Sequence, residues 1–342
     1  MSKNERIGII KEIQNNRESC LISYVTTTRA GGEVQMAMDS IRHIFQHIQD
    51  FKKEEKFNID LFLYSNGGDG TVPWRLVTLI REYSKRFSVL IPFRAFSAAT
   101  LTALGADEII MHPMGMLGPT DPTVSNDFNP ENPTTKQKLG ISVEDVTAYI
   151  NLIKEDAGIT HEDELVQAFT KLTDKVHPLA LGNVKRSLSQ SRMMARKLLA
   201  LHMDKAKEQH QIDEIIDNLT SKLFFHGHPI NRTEADKEVG IRTVKKANEE
   251  IEGLIWNLYL EYEKEMKLND PFNPVFEFIQ LSPNLTVGTP VTTPKQTSKL
   301  VYIESENATN VNILEYEIMG VKNNNGVINT QMSTLFQGWK TE

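Results

Sequence analysis

Two short turns in the sequence combine residues that could carry out acyl-transfer chemistry. Residues 65–70 (SNGGDG) follow the apolar run 61–64, and residues 95–99 (AFSAA) follow the apolar run 89–91. Glycines let a backbone approach a ligand closely, and the first turn of a helix has N–H groups without intrahelical partners. The Gly-Gly turn could therefore donate hydrogen bonds to a carbonyl oxygen, while Ser97 presents its hydroxyl as a nucleophile.

The order of the two turns also predicts which groups hold the oxyanion of an acyl-transfer intermediate. We expect the N–H groups of Gly68 and Ala98 to do so, because the first lies in the Gly-Gly turn and the second directly follows the nucleophile. Gly67, Gly118 and Pro119 are predicted to contact the substrate. A Gly-Gly pair alone is typical of a tight turn without any ligand, but its pairing with Ser97 about 30 residues later favours a functional site.

Alternating strand and helix patterns must position these two turns. Nearly continuous apolar runs are typical of strands that are covered on both faces of a sheet, and they alternate with segments of helical period. This alternation predicts an α/β fold with a largely parallel sheet. The predicted strands are 20–26, 59–64, 88–93 and 108–111, and the predicted helices are 33–51, a segment from Pro73 and 98–105.

By composition, the whole chain divides into three predicted parts. These are a domain over 1–268, a linker or extended wrap over 269–298, and a small β appendage over 299–342. The charged residues 1–18 are interpreted as an ordered arm or a first edge strand. Asn323-Asn324-Asn325-Gly326 is a hairpin signal inside the appendage. Further helices are predicted at 143–154, 165–174, 184–209, 212–223 and 249–266, and further strands at 299–303, 312–319 and 326–336.

The two turns resemble those of the Clp-type and signal-peptide-peptidase-type serine peptidases, and in particular the group called serine dehydrogenase proteinases. The resemblance is strong over about residues 55–125, weaker to about 245, and absent beyond 270. Asn66 stands where these families usually have proline. The resemblance implies a ClpP/crotonase-like spiral of ββα units with a helical extension. It also implies a closing strand–turn–helix element, which Arg232, Glu234, Ala235 and Gly240 would match.

The same resemblance implies a peptide or protein substrate, no cofactor, and a closed homo-oligomer that sequesters the active sites. The helices predicted at 184–209 and 249–266 are the candidate contact surfaces between copies, because the first is rich in methionine and the second in aromatic residues.

A serine nucleophile needs a base, and the sequence leaves the choice of base open. Clp-type peptidases place a histidine after the next strand, but residues 114–121 contain none, and His112 precedes that turn. The signal-peptide-peptidase type uses a lysine, and its pattern resembles KLGIS at 138–142 followed by Lys154, 57 positions after Ser97. Burial between apolar neighbours would favour the neutral amine that a general base requires. Lys138 and Lys185 are the alternatives.

The surroundings of Lys154 also fit a solvated lysine at a helix end, because Glu155 and Asp156 follow it directly. In that case the chain would have no Ser-Lys dyad.

Bulk properties exclude several classes of protein. The net charge of −7 does not indicate a nucleic-acid partner, and no apolar stretch approaches the length of a membrane anchor. The N-terminus lacks the apolar core of a signal peptide, so we expect a cytoplasmic protein. Cys20, the single cysteine, is predicted to be a buried core thiol.

Two further clusters have structural interpretations. His226 and His228 could form half of a metal site, but without a third ligand a structural role is favoured and no metal is predicted. A basic run is interpreted as a solvated helix face or an oligomer contact: Lys185, Arg186, Arg192, Arg196 and Lys197.

Two other functions share the predicted fold. An acyl-CoA hydratase or hydrolase also holds a carbonyl with two backbone amides, although a serine at the nucleophile turn favours a peptidase. A non-catalytic scaffold could instead use the appendage to bind a partner. Serine dehydrogenase activity is disfavoured because the chain has neither a G-x-G-x-x-G turn nor the lysine motif of a pyridoxal enzyme.

Overall fold

A computed structural model describes residues 3–51, 56–121, 123–124, 126–220 and 227–342 of the chain. The helices are α1 (Lys3–Arg17), α2 (Asp39–Asp50), α3 (Val72–Tyr83), α4 (Ala98–Leu104), α5 (Val143–Asn151), a π-helical turn (Leu152–Asp156), α6 (Glu162–Thr173), α7 (Pro178–Leu199), α8 (Lys205–Thr220), α9 (Arg232–Lys237), α10 (Glu249–Glu265) and α11 (Pro274–Leu281). The strands are β1 (Cys20–Thr26), β2 (Phe57–Tyr64), β3 (Ser84–Ile91), β4 (Arg94–Ala95), β5 (Glu108–Met111), β6 (Met116–Leu117), β7 (Thr123–Val124), β8 (Ile141–Ser142), β9 (Ile230–Asn231), β10 (Val244–Lys245), β11 (Val291–Thr292), β12 (Gln296–Glu304), β13 (Thr309–Lys322) and β14 (Ile328–Thr341).

The strands of the described residues form one large sheet and two small ones. The large sheet has nine strands in the order β10-β5-β3-β2-β1-β12-β13-β11, with β14 paired to β13. Its first five strands are parallel, whereas β12, β13 and β14 are antiparallel to their neighbours. A smaller sheet has the order β4-β6-β9, and β7 pairs with β8. The predicted α/β architecture with a largely parallel sheet is confirmed.

Strand β2 shows why a nearly continuous apolar run forms the centre of this fold. Ile59, Leu61 and Leu63 are buried in the core on one face of the sheet, whereas Phe62 and Tyr64 are buried in the core on the other. Helices α2, α3, α4 and α7 contribute to the first core, and α1 and α10 contribute to the second. Because both faces are covered, apolar side chains lie on both faces of the strand.

Residues 3–17 form a helix, so the alternative of a first edge strand over 1–18 is wrong. Helix α1 buries Ile10 and Ile13 in the second core, against α10. Arg6 lies on the same face and makes a buried ion pair with Glu304, in which Nε lies 2.7 Å from Oε2. Only a few apolar residues of α1 face the core, and for this reason the charged composition concealed the helical period.

The C-terminal strands form where they were predicted, and they extend the large sheet. Ser23 to Thr26 of β1 pair antiparallel with Val301 to Glu304 of β12. The predicted hairpin is also confirmed, since Gly326 N–H donates to Asn323 O at 2.9 Å and β13 pairs with β14. The division into domains at 268 and 298 stays a prediction.

The segment predicted as a linker or wrap contains a helix. Asn273 caps α11 by accepting hydrogen bonds from the N–H groups of Val275 and Phe276, and Pro274 occupies the first helical position. Phe278 of this helix is fully buried against Tyr316 of β13.

Other observed helices and strands begin or end a few residues away from the predicted positions, and one predicted helix is divided in two. The helix predicted over 184–209 is two helices, because α7 ends at Leu199 and α8 begins at Lys205. The predicted closing element is present as β9, α9 and the glycine at 240, where φ is +88°. Cys20 is buried as predicted. Within the described ranges, no helix has the length and apolar character needed to cross a bilayer.

Candidate active site

The two turns singled out in the sequence lie against each other. A Cβ added to Gly67 would lie 2.6 Å from the carbonyl oxygen of Phe96, 2.9 Å from Cβ of Ser97 and 3.0 Å from the backbone nitrogen of Ala98. Its φ of +95° is a second reason why glycine is required here. The Gly-Gly turn and the serine turn therefore form one continuous surface.

Ser97 has an unusual backbone conformation at the start of a buried helix. Its φ of +52° and ψ of −114° are rare for a residue with a side chain, and it immediately precedes α4. Strain of this kind persists only where the surroundings enforce it, and such residues are often found at active sites. The side chain is partly exposed, and no residue that the structure describes accepts or donates a hydrogen bond at its hydroxyl.

The two predicted oxyanion donors have no hydrogen-bond acceptor among the described residues, and their role stays a prediction. In the described part of the chain, no acceptor pairs with the N–H of Gly68 or of Ala98. Ala98 is the first residue of α4, so its N–H also lies at the positive end of the helix. Gly68 follows the residue that packs against Ser97, and Ala98 follows Ser97 itself, so the two N–H groups belong to the turns that meet here.

The buried hydroxyls of Ser65 and Thr26 anchor the Gly-Gly turn through hydrogen bonds. Ser65 Oγ accepts a hydrogen bond from Gly67 N–H at 3.0 Å and another from Thr26 Oγ1 at 2.8 Å. The backbone of Ser65 also pairs with the serine turn, because its N–H donates to Arg94 O and its carbonyl accepts from Phe96 N–H, both at 3.0 Å. Ser65 is fully buried, and it fixes both turns at once.

A segment before α2 supports the same turn from the side. Met36 N–H donates to Gly67 O at 2.8 Å, and Asp69 N–H donates to Met36 O at 3.0 Å. A Cβ on Gly68 would lie 2.5 Å from the backbone nitrogen and oxygen of Met36, so only glycine fits this close approach.

Gly118 and Pro119, which are predicted to contact the substrate, lie beside the serine turn and are buried. A Cβ on Gly118 would lie 3.0 Å from the ring of Phe96. The Thr100 hydroxyl accepts from Gly118 N–H at 3.1 Å and lies 2.7 Å from Ala95 O. Their role in substrate binding stays a prediction.

Lys154, the predicted base, lies in a different environment from the one expected. It belongs to the π-helical turn after α5, and its side chain is exposed rather than buried. Ile150 and Ile153 line a cleft of about 330 Å³ together with Lys154, whereas Leu152 is 54% exposed. No hydrogen bond or ion pair joins Lys154 to Ser97 in the structure.

The alternative bases have other partners or lie at the surface. Lys138 makes an ion pair with Glu131 at 3.0 Å, and Lys185 is exposed. The ring of His112 stacks on Trp256 with centroids 4.9 Å apart, and burial lowers the pKa of this histidine. His112 therefore helps to attach α10 to the body of the fold.

The remaining polar clusters have structural partners. His228 Nε2 lies 2.6 Å from Glu234 Oε1, and its predicted companion His226 lies outside the described residues. Arg192 and Arg196 of the basic run pair with Asp217 and Asp213 of α8. Across the residues that the structure describes, no group of three or more His, Cys, Asp or Glu side chains could hold a metal ion.

The contacts that Ser65 and Met36 make with the two turns could not be predicted from the sequence. Ser65 belongs to the recognised motif, but its burial and its bond to Thr26 depend on the pairing of β1 with β2. The contribution of Met36 had no local signal, because it depends on where the chain runs after β1.

Comparisons with known proteins found a matching family model and several similar proteins. A family model described as ClpP-like SDH-type serine proteinase matches residues 1–177. Two uncharacterized proteins of Methanocaldococcus jannaschii are similar to this chain. The first is 28% identical over 123 residues, which is 34% of this chain and 42% of that protein. The second is 25% identical over 187 residues, which is 55% of this chain and 52% of that protein. The chain thus spans about half the length of these relatives or less.

Among solved structures, the chain is similar to the 1510-N membrane-bound stomatin-specific protease. A variant of that protease in complex with a substrate peptide is 14% identical, with a TM-score of 0.35, over 67% of this chain and 74% of that chain. A second variant is 18% identical, with a TM-score of 0.24, over 38% of this chain and 59% of that chain.

Proposed function

We propose that this chain, which belongs to the family of ClpP-like SDH-type serine proteinases, hydrolyses peptide bonds with Ser97 as its nucleophile. The observation that carries the proposal is the contact between the two turns, where Gly67 packs against Ser97 and the nitrogen of Ala98. The contact supports the proposal because it joins the turn of Gly68 to the turn of Ser97 and Ala98, and neither Gly68 N–H nor Ala98 N–H has an acceptor among the described residues. Together these are the parts that acyl transfer needs.

The proposed reaction has two halves. Ser97 Oγ attacks the peptide carbonyl carbon as its proton passes to a base, and the carbonyl oxygen becomes an oxyanion held by Gly68 N–H and Ala98 N–H. The C–N bond then breaks, and the leaving amine takes the proton. Water attacks the resulting ester by the same route and releases the acid, which restores the serine hydroxyl.

We propose Lys154 as the base, and its surroundings suggest when it acts. A lysine accepts a proton only in its neutral form, which desolvation favours. The side chain lies at an apolar cleft between α5 and α6. A peptide or a second protein copy that covers this cleft would remove water from the amine and would complete the site.

Peptide hydrolysis by the wild-type chain and by Ser97→Ala tests this function. We expect the substitution to lower kcat/KM by at least about three orders of magnitude, because it removes the nucleophile. Ser189→Ala is the matched control, since Ser189 is an exposed residue of α7. Circular dichroism would verify that each variant is folded.

Three results would contradict the proposal. Hydrolysis that survives in Ser97→Ala would exclude this nucleophile. Turnover of acyl-CoA thioesters without turnover of peptides would favour the acyl-CoA hydrolase. A wild-type chain that is inactive on both substrates would favour the scaffold.

A further inference from the structure

The outer strand of the large sheet has a long unpaired edge. Strand β14 runs from Ile328 to Thr341 and pairs with β13 on one side only. No other strand of the described residues pairs with β14. Its outward N–H and C=O groups therefore form a template on which another strand could add.

Apart from a β-bulge at Leu335, this edge lacks the features that usually prevent strand addition. Residues 328–339 contain no charged residue and no proline. Lys340 is the single charged residue of β14, and its amine pairs with Glu315 of β13 at 2.7 Å, so it is held across the sheet. An exposed edge of this length with so little charge is rare in a chain that remains monomeric.

Apolar side chains are exposed along the same strand. Leu335 is 49% exposed, Phe336 is 38% exposed and Met332 is 37% exposed. Leu335 lies at the register shift between β13 and β14, where the strand has one residue more than its partner. The middle of the edge therefore combines free backbone groups with apolar surface.

We propose that β14 pairs antiparallel with β14 of a second copy of this chain, which makes a two-fold dimer with one continuous sheet. Antiparallel pairing of a strand with itself obeys two-fold symmetry, so one contact satisfies both edges and closes the assembly. The centre of the strand, near Thr334 and Leu335, would lie at the symmetry axis. The two Lys340 residues would then lie at opposite ends of the pair, so no like charges face each other.

The other end of the sheet supports closure at two copies. Strand β10 is only Val244–Lys245, and Lys245 pairs with Glu108 at 2.9 Å. Because this edge is short and charged, it does not offer a second site at which copies could add without limit. This inference is independent of the proposed catalytic mechanism.

The helical contact surface expected from the sequence is less suitable. The aromatic face of α10 is buried within the chain itself, where Tyr259 and Tyr262 pack in the second core. Leu260 is the exposed large apolar residue of this helix, at 38%. Leu260 therefore provides a matched comparison with Leu335 of β14.

Sedimentation velocity at micromolar concentrations tests the dimer. We expect a wild-type species of twice 38.8 kDa, and we expect Leu335→Lys to convert it to a single-chain species by placing two positive charges at the axis. Leu260→Lys should leave the dimer intact. Thermal unfolding of each variant would confirm that the chain remains folded.

A cross-link provides the second measurement. Cys20 is the chain's only cysteine and is buried, so Leu335→Cys adds one exposed thiol at the proposed axis. Oxidation should produce a disulfide-linked dimer from this variant but not from Leu260→Cys. A wild-type chain that is monomeric throughout, or a dimer that Leu335→Lys leaves intact, would overturn the proposal. Dissociation by Leu260→Lys alone would assign the contact to α10 instead.

Discussion

Helix α4 is buried much more completely than helix α6. Ser97 directly precedes α4, and α6 lines the cleft beside Lys154, so each helix adjoins one member of the proposed dyad. Every residue of α4, which follows Ser97, is buried. Helix α6, which covers the cleft beside Lys154, has no buried residue. The proposed nucleophile and the Ala98 N–H are therefore fixed by the core of a single chain. The segment that carries the proposed base makes few contacts, and a substrate or a second copy would complete its environment.

The largest predicted effect on activity comes from substitution of the proposed base, Lys154. Lys154→Ala should lower kcat/KM by about 10²–10⁴-fold if the amine takes the serine proton. Lys154→Arg should not restore activity, because arginine does not release its proton in a protein. The steady-state rate of peptide hydrolysis measures both variants.

Lys138→Ala is the matched control for the base, because Lys138 is also partly exposed and pairs with Glu131. Equal activity in the wild type, Lys154→Ala and Lys138→Ala would remove Lys154 from the mechanism. Lys185 would then be the next lysine to test.

The Gly-Gly turn should be nearly as sensitive. Gly67→Ala places a methyl group 2.6 Å from Phe96 O, in a backbone conformation of positive φ. Displacement of the turn would misalign the oxyanion donor and should lower kcat by about 10²–10³-fold.

Gly70→Ala is the control for this turn, because a Cβ at Gly70 has open space around it. It should retain nearly full activity. Similar rates of peptide hydrolysis in the two alanine variants would show that the turn does not act in catalysis.

Ser65 should have a smaller effect, since it supports the turn without contacting substrate. Ser65→Ala leaves the buried N–H of Gly67 without its acceptor, which should cost about 1–3 kcal/mol in the free energy of unfolding. We also expect a decrease in kcat of about 10-fold, with little change in KM.

Ser19→Ala is the control for Ser65. Ser19 hydrogen-bonds Asp60 and lies before the start of β1, whereas Ser65 lies after the end of β2. Ser19→Ala should reduce stability without changing kcat. Denaturant unfolding and peptide kinetics on the same samples would distinguish the two serines. Equal kcat in both variants would contradict a positioning role for Ser65.

The smallest predicted effect is a pH dependence of stability at the C-terminal strands. His47 of α2 is buried between Ser305 and Asn310, at 2.8 and 3.0 Å, and burial lowers the pKa of its ring. The nearby Asp50 and Glu304 oppose this shift, and His43 adds to it. The unfolded chain therefore binds more protons than the folded chain as the pH falls below about 6.5, so stability decreases there.

His47→Gln should flatten this decrease, because glutamine does not titrate. The measurement is the free energy of unfolding in urea at pH 7.5 and at pH 5.5, compared between the wild type and the variant. Identical slopes would show that the ring does not remain neutral in the folded chain.

Much of the fold and the two turns of the candidate site could be predicted from the sequence. The turns at Gly67 and Ser97 have local signals, since glycine permits the backbone and a strand precedes each turn. Strand β2 was recognisable because apolar side chains lie on both of its faces.

The remaining features depend on tertiary contacts that have no local signal. Helix α1 was missed because its buried face includes Arg6, whose partner Glu304 is about 300 positions away. Helix α11 was missed because its cap at Asn273 lies in a segment rich in proline and threonine. The burial of Lys154 was expected from its apolar neighbours, but neighbours in sequence do not fix which side of a helix is covered.

The central claim is that the two turns form one nucleophilic site, and the most direct test is to locate the adduct of a fluorophosphonate. The wild-type chain would be treated with the probe and analysed by peptide mass spectrometry, alongside Ser97→Ala and Gly67→Ala. We expect one modified residue, Ser97, with no modification in Ser97→Ala and much slower modification in Gly67→Ala. Modification of another residue, or labelling of Ser97→Ala at the wild-type rate, would contradict this claim.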